Sequence, residues 1–442
     1  MSRISKAISK VFFKSKSVTT EDVVCSAKII KRKQHRISRQ QISPNALKVL
    51  YRLSKNGYSA YLVGGGVRDL LLGLEPKDFD IVTDAKPEQV KKLFKNALLI
   101  GKRFRIVHVR FRHEVIEVAT FRQAAIIDST QQMESAHGML LRDNVYGSID
   151  EDVWRRDFTI NALYYNIKDF SIVDYTDGVD DLDHGVLRII GDPQERLVED
   201  PVRMLRAVRL ACKLGFVIDE ATAAPFKELA SLLTHVSSAR LFDESLKLFL
   251  SGNSADVFAT LRQYQLFQQM YPLTEESLLD VKRNHVIDLF LLRLFTHTDE
   301  RIALGKTVNP AYLFAGLLWY PILLKQYHYK STGMREVPAL DAAIKEVTSI
   351  QQKCTAIPRR FINTMRDIWF MQLQFEKRFG RRPYKLLTQL KFRAAYDFLL
   401  LRAEVEPTLQ PLAQWWTEFY HGNEKIRKML LADVNKKRTQ KK

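Results

Sequence analysis

Apolar positions follow two different rhythms along this chain, and the change between them divides it. Between residues 57 and 190 they fall in short runs. "SAYLV" (59–63), "FDIVT" (79–83), "FRIVHVRF" (104–111) and "EVIEVATF" (114–121) have the length and alternation of β-strands. "PEQVKKLF" (87–94) has the spacing of a helix. Just ahead of them, Ser43 and Pro44 supply an N-cap and a first-turn proline for a helix with Leu47, Leu50, Tyr51 and Leu53 on one face, which Gly57 ends. Residues 123–153 are polar and aperiodic, the pattern of a mobile loop. After Ile190 strand signals disappear and nearly every segment is spaced as a helix. The predicted fold class is α+β: a small mixed head of β-sheet and helices, followed by an all-helical remainder. No repeat of fixed period is present.

The chain of 442 residues, 46% apolar, is long enough for two or three domains with real cores. Cys25, Cys212 and Cys354 lie too far apart in sequence to read as a disulfide framework or as the close ligand pairs of a structural zinc site, which points to a reducing cytoplasm. The stretch "AYLFAGLLWYPILL" from Ala311 holds 14 residues, interrupted by Gly316 and Pro321, and reads as a buried helix rather than a membrane span. The N-terminus is basic but lacks the apolar core of a secretory signal. The net charge of +19 is unevenly placed. Residues 1–41 carry eleven Lys or Arg against two acids, and residues 425–442 carry eight against one, so the two ends hold most of the excess. Such ends attract polyanions, either nucleic acid or an anionic membrane surface, or are simply solvated tails. Ile4, Ile8, Val11 and Phe12 are spaced for a short amphipathic helix suited to either partner.

The apolar run around residue 80 is broken by charge. In a strand, Asp78 and Asp80 of "KDFDIV" point the same way, and paired carboxylates repel unless a divalent cation lies between them. Glu117 interrupts the neighbouring apolar strand in the same manner. Three carboxylates on one sheet suit a two-metal site. Alternatively, Asp78 is a turn residue after Pro76 and Glu117 pairs with a nearby arginine. Gly64, Gly65 and Gly66 favour the first reading: after a strand and before a helix, they leave backbone N–H groups open to phosphate oxygens. The stretch lacks both the dinucleotide-binding glycine spacing and the P-loop ending.

Three further clusters have both a structural and a functional reading. In "RRDFTINALYY", Arg155, Arg156 and Asp157 are a polar strand entrance, or else Arg156 clamps phosphate and Asp157 accepts from a ribose hydroxyl. In "VEDPVRMLRAVRLACKLGF", Asp200 starts a helix whose stripe is Met204, Leu205, Val208, Ala211 and Cys212, with Arg203, Arg206 and Arg209 opposite. Those arginines either solvate the helix, or Asp200 and Arg203 present an acceptor and a donor to the edge of an adenine. "KRFGRRPYKLLTQLKFR" carries Lys377, Arg378, Arg381, Arg382, Lys385, Lys391 and Arg393 without an acid, interleaved with Phe379, Tyr384 and Phe392. It suits a single-stranded RNA track, or a solvated helical face.

Taken together, "LVGGGVRDLLLG", "KDFDIVT", "EVATFR", "RRDFTINAL" and "VEDPVRMLRAVRLACKLGF" resemble, in order and spacing, the class II nucleotidyltransferases, which comprise bacterial poly(A) polymerases and CCA-adding enzymes. The likeness runs from about Ser43 to at least residue 250. "LLIGKRFRIVHV" (98–109) looks like the stretch that separates poly(A) polymerases from CCA-adding enzymes, and "FRAAYDFLLLRAE" looks like the carboxy-terminal region of the type I poly(A) polymerases. Gln389-Leu390 departs from the family's usual His-Pro, which makes the details of the RNA track less transferable. Residues 1–42 match nothing usable.

The resemblance implies a basic, disordered extension (1–42), a catalytic head (43–190), a nucleotide-selecting and RNA-binding helical neck (191–280), a helical RNA-binding body (281–424) and a basic tail (425–442). It implies template-independent addition of AMP from ATP to single-stranded RNA 3′ ends with release of diphosphate, and a role in RNA turnover. It further implies two Mg2+ ions, with Mn2+ as a substitute, held by Asp78 and Asp80, with Glu117 as a supporting carboxylate. Gly64, Gly65, Gly66, Arg68, Arg122 and Arg156 are assigned to phosphate or ribose, and Asp157, Asp200, Arg203, Arg206 and Arg209 to the nucleotide. A cytoplasmic monomer that does not act on DNA is the expectation. The rivals are a CCA-adding enzyme, which shares every catalytic residue named, and a non-catalytic RNA-binding protein with a degenerate head.

Overall fold

The computed structural model describes residues 26–101, 105–123, 133–134, 140–142, 145–279 and 284–439. The short apolar runs become strands because one face of each packs on helices. β2 (Ala60–Val63), β3 (Asp80–Thr83), β5 (Ile106–Arg110) and β6 (Val115–Thr120) lie where the pattern places them. They join β1 (Lys28–Ile30), β4 (Ala97–Ile100), β9 (Leu163–Asn166) and β10 (Ile172–Asp174) in a sheet of order β1-β10-β9-β2-β3-β6-β5-β4. β3 and β6 run parallel, with Asp80 opposite Glu117, and the other neighbours in this sheet are antiparallel.

Alternation gives the sheet two unlike faces. Leu62, Ile81, Val107, Ile116, Val118 and Tyr165 form a core with Ala46, Val49, Leu50 and Leu53 of the helix Pro44–Lys55. Ser43 caps that helix, accepting from the Asn45 N–H at 3.2 Å. The other face carries Val63, Val82, Tyr164 and Val173, which with Phe121 and Val153 make a smaller apolar patch. The carboxylates lie on this second face.

Four expectations need correction. Residues 28–42 do not stand outside the fold: β1 completes the sheet against β10, and Ile37 and Ile42 are buried. The apolar stretch from Ala311 is two helices, Pro310–Leu317 and Trp319–Ser331, rather than one. Helical spacing does not exclude every strand after Ile190, because Val217–Ile218 pairs in parallel with Val186–Leu187. Residues 424–439 are not a loose tail but a helix, Glu424–Thr439, that buries Leu430 in a C-terminal core with Phe419, Trp416 and Phe375. The proposed amphipathic helix near residue 8 and most of the loop expected at 123–153 lie outside the described residues. Within that loop β7 (Met133–Glu134) pairs with β8 (Leu140–Arg142), and Ile149–Trp154 is a helix.

The neck helix Val202–Leu214 buries Met204, Leu205, Val208 and Ala211 as its stripe requires. They pack with Phe158, Ile160, Leu187 and Ile189 from the end of the head, and the same core continues into the body through Phe290, Trp369 and Phe398. Head and neck therefore share an apolar seam, which fixes the neck's polar face beside the sheet. Among the described residues no helix is long and apolar enough to cross a membrane.

Candidate active site

β3 begins at Asp80, so Asp78 belongs to the extended lead-in rather than to the strand itself. Asp78 is exposed, whereas Asp80 is partly buried. Burial, then the negative charges of Glu117 and Asp78, push the Asp80 carboxyl up to about 6, with only Arg156 opposing. Asp80 is therefore costly to keep ionised beside two like charges unless a cation joins them. Their oxygens are the hard donors that Mg2+ prefers, so the residues present fit a divalent ion. Among the described residues no three His, Cys, Asp or Glu side chains already converge as a metal cage.

The three glycines have separate tasks. Gly64 adopts φ +72° and ψ −138°, open in practice only to glycine, and turns the chain from β2 into the helix Gly65–Leu72. A Cβ on Gly64 would stand 3.8 Å from Arg156 Nη1. Gly66 lets the helix approach the lead-in of β3: its Cβ would meet the Asp78 carbonyl oxygen at 3.3 Å. Gly65 has room for a side chain, with Arg68 Nη2 at 3.4 Å. The N-terminus of this helix thus lies against the backbone of the carboxylate loop.

Arg156 is held rigidly. Its Nε and Nη2 donate to Asp152 Oδ2 at 3.1 and 2.8 Å, Nε also donates to the Tyr164 hydroxyl at 2.7 Å, and the guanidinium carbon lies 5.1 Å from the Tyr164 ring centroid. The fully buried Asp152 carboxylate also accepts from Arg155, the Tyr164 hydroxyl and the Arg122 N–H. Burial alone would raise its pKa; Arg156 and Arg155 outweigh burial and hold it near 2. Asp152 and Tyr164 escaped the sequence reading. Asp152 precedes Arg155 and Arg156 by three and four residues, a helical spacing that signals the pairing.

Other assigned residues have internal partners. Arg68 is buried and donates to Asp69 and to Asn161 Oδ1, the latter at 2.7 Å, so it braces the helix rather than facing the open side. Arg122 Nη2 donates to the Arg105 carbonyl at 3.1 Å. Asp157, offered above as a ribose acceptor, receives Asn161 and the Phe158 N–H on Oδ1 and Arg206 on Oδ2. Burial would raise its pKa, yet Arg206 and its other partners hold it near 2. This pair joins head to neck.

On the neck, Asp200 Oδ1 accepts from the Val202 N–H at 3.2 Å and Oδ2 from Arg240 at 2.7 Å. Arg203 is not solvated: buried, it donates through Nη1 to Glu199 and to the Arg196 carbonyl, so Nη2 and Nε keep their donors. Arg196, which the pattern did not single out, donates to the Arg156 carbonyl, and burial with neighbouring Arg203 lowers it to about 10. Arg209 is partly buried; burial and then Arg206 lower its pKa.

The basic C-terminal cluster sits on the last core, which includes Leu386 and Phe392. Lys377, Arg381, Arg382, Lys385 and Arg393 are exposed, and Lys391 and Arg378 are partly buried. Of the interleaved aromatics, Phe392 is core and Tyr384 donates to Glu424, whereas Phe379 is stacked under Arg382 at 4.2 Å.

With this geometry in view, residues 60–188 match the poly A polymerase head domain, 215–278 a probable RNA and SrmB-binding site of polymerase A, and 332–442 the polymerase A arginine-rich C-terminus. The chain is 49% identical over 413 residues to poly(A) polymerase I of Salmonella typhi, covering 92% of this chain and 89% of that one. It is 50% identical to the Escherichia coli O6:H1 enzyme of the same name, covering 88% and 85%. A Bacillus subtilis CCA-adding enzyme is 37% identical, but over only 52% of this chain and 56% of its own length. Among solved structures, the Thermotoga maritima CCA-adding enzyme complexed with tRNA superposes with a TM-score of 0.57 at 20% identity, covering 89% of this chain and 97% of that one, and so shares the fold. The match extends from the carboxylate head to the basic C-terminus, and the chain belongs to the bacterial poly(A) polymerase I family.

Proposed function

We propose that this chain adds AMP from ATP to single-stranded RNA 3′ ends without a template, releasing diphosphate, and does so at the carboxylate face of the head. The observation that carries the reading is the pairing of Asp80 with Glu117 across the parallel strands β3 and β6, beside Asp78, three acids of the kind that take divalent cations. Two divalent ions, Mg2+ or in its place Mn2+, supply when bound the acidification of the RNA 3′-hydroxyl and the neutralisation of the diphosphate. Asp78 and Asp80 would hold them, and Glu117 would orient the site as a supporting carboxylate. The N–H groups opening the helix Gly65–Leu72 receive the triphosphate beside Nη1 of Arg156. Asp152 and Tyr164 keep that guanidinium in place, so its charge meets the phosphate already oriented.

No template is needed if the neck reads the base. Asp200 keeps acceptor capacity on both carboxylate oxygens, and Arg203 keeps two donor groups beyond those it spends on Glu199 and Arg196. An adenine offers the complementary amino group and ring nitrogen. Incubating the protein with a generic RNA and each nucleoside triphosphate separately tests the whole reading. Long tails from ATP alone support it; CTP use confined to tRNA ends would replace it with CCA addition. Asp80→Ala should lower magnesium-dependent AMP incorporation on the order of 10²–10³-fold, the scale of removing one electrostatic support from a transition state. Unchanged incorporation would place the chemistry elsewhere.

A further inference from the structure

The stretch 98–109 contains a residue with no part in the scheme above. A single row of side chains crosses the carboxylate face: Val63 on β2 is opposite Asp80, Asp80 is opposite Glu117, Glu117 is opposite His108 on β5, and His108 is opposite Leu98 on β4. His108 Nε2 stands 3.2 Å from Glu117 Oε1, on the side of Glu117 away from Asp80. Nε2 is buried and makes no aligned hydrogen bond, so its capacity is unspent. Glu117 itself is half-exposed, faces the repulsion of Asp80, and among the described residues has no lysine or arginine in an ion pair with it.

We propose that His108 is a positioning residue for the reaction: donating from Nε2, it holds the Glu117 carboxylate at the end of the row and keeps it from swinging out to solvent. A neutral imidazole with its proton on Nε2 is sufficient. A small rotation of the Glu117 side chain aligns the bond, in keeping with catalytic hydrogen bonds that tighten only when substrate is bound. This assignment gives β5 a physical link to the chemistry, since the strand places one donor directly behind a carboxylate of the adjoining strand. It rests on the reading of Glu117 as the supporting carboxylate.

The test is a double-mutant cycle read as steady-state AMP incorporation. His108→Leu should lower kcat about tenfold to a hundredfold, the usual cost of removing a hydrogen-bonding support behind a functional group, with KM for ATP and thermal stability little changed. His108→Gln, whose amide reaches the Nε2 position, should restore most of the loss. In a Glu117→Ala background, which removes the acceptor altogether, His108→Leu should add no further loss. If His108→Leu melts early, His108→Asn, whose amide stops short at the Nδ1 position, takes its place in the cycle. Wild-type kcat in His108→Leu, or the same loss in both backgrounds, would overturn the proposal. Tailing by the wild-type protein is unaffected by either result, so failure here is distinguishable from failure of the proposed function.

Discussion

Asp80 stands where two parallel strands bring like charges together, and its chemistry depends on pH in a definite direction. Its folded pKa of about 6 lies above the ordinary value of 3.8. Its contribution to stability is therefore complete below 3.8 and lost as pH rises through 6. A cation held there would offset that penalty and displace the proton. Mg2+ should thus raise the melting temperature more at pH 7.5 than at pH 5, and Asp80→Asn should abolish the difference; an equal rise at both pH values would remove Asp80 from the ion site. Asp152 shows the opposite sign. Held near 2, it stabilises the fold above its ordinary 3.8 and loses that contribution as pH falls toward 2. Asp152→Asn leaves Arg155 and Arg156 without their anion and should cost roughly 3–5 kcal/mol in urea unfolding, the price of breaking a buried ion pair. Asp78, Asp80 and Glu117 were legible as charges inside apolar runs. For Asp152 the spacing to Arg155 and Arg156 signals a pairing, but nothing in the local pattern says that the helical acid faces inward.

At the scale of elements, the turn from β2 into the helix Gly65–Leu72 concentrates its demands on backbone conformation at one position. Gly64→Ala forces a side chain into φ +72°, ψ −138° and should destabilise by roughly 1–3 kcal/mol, whereas Gly65→Ala, with space for a Cβ, should cost less. Chemical unfolding of both variants distinguishes this from a uniform need for glycine. The neck helix was predicted by its stripe, but its arginines were read as lying on an open face when Arg203 is buried against Glu199. Helical periodicity assigns directions around an axis; it does not say which directions another element covers. Arg203→Ala should relax the preference for ATP over CTP by about tenfold to a hundredfold, the range of one base-edge contact pair. Equal loss with all four nucleotides would confine Arg203 to a structural role.

Across the whole molecule, charge and core are arranged separately. The last helix is part of a core, so its contribution to RNA affinity is best probed by surface charge rather than by deletion. Lys425, Lys428 and Lys436 are exposed on it. Replacing all three by glutamine should reduce the slope of log affinity for single-stranded RNA against log salt by about 2, since about 0.7 of a counterion is released per neutralised phosphate. An unchanged slope, with the fold intact, would put the RNA path elsewhere.

By itself the sequence determined the α+β class, the divide between head and helical remainder, most of the strands flanking the site and the acids of the carboxylate cluster. Each is set by short-range alternation or by a charge where an apolar residue is expected. Only the tertiary structure decided that β1 closes the sheet, that Asp157 joins head to neck through Arg206, that Arg68 faces inward, and that His108 stands behind Glu117. Those facts depend on strand order and register between segments up to 146 positions apart, as from Lys28 to Asp174. Pairing over such distances is chosen by the burial of whole faces against one another, which no local pattern contains.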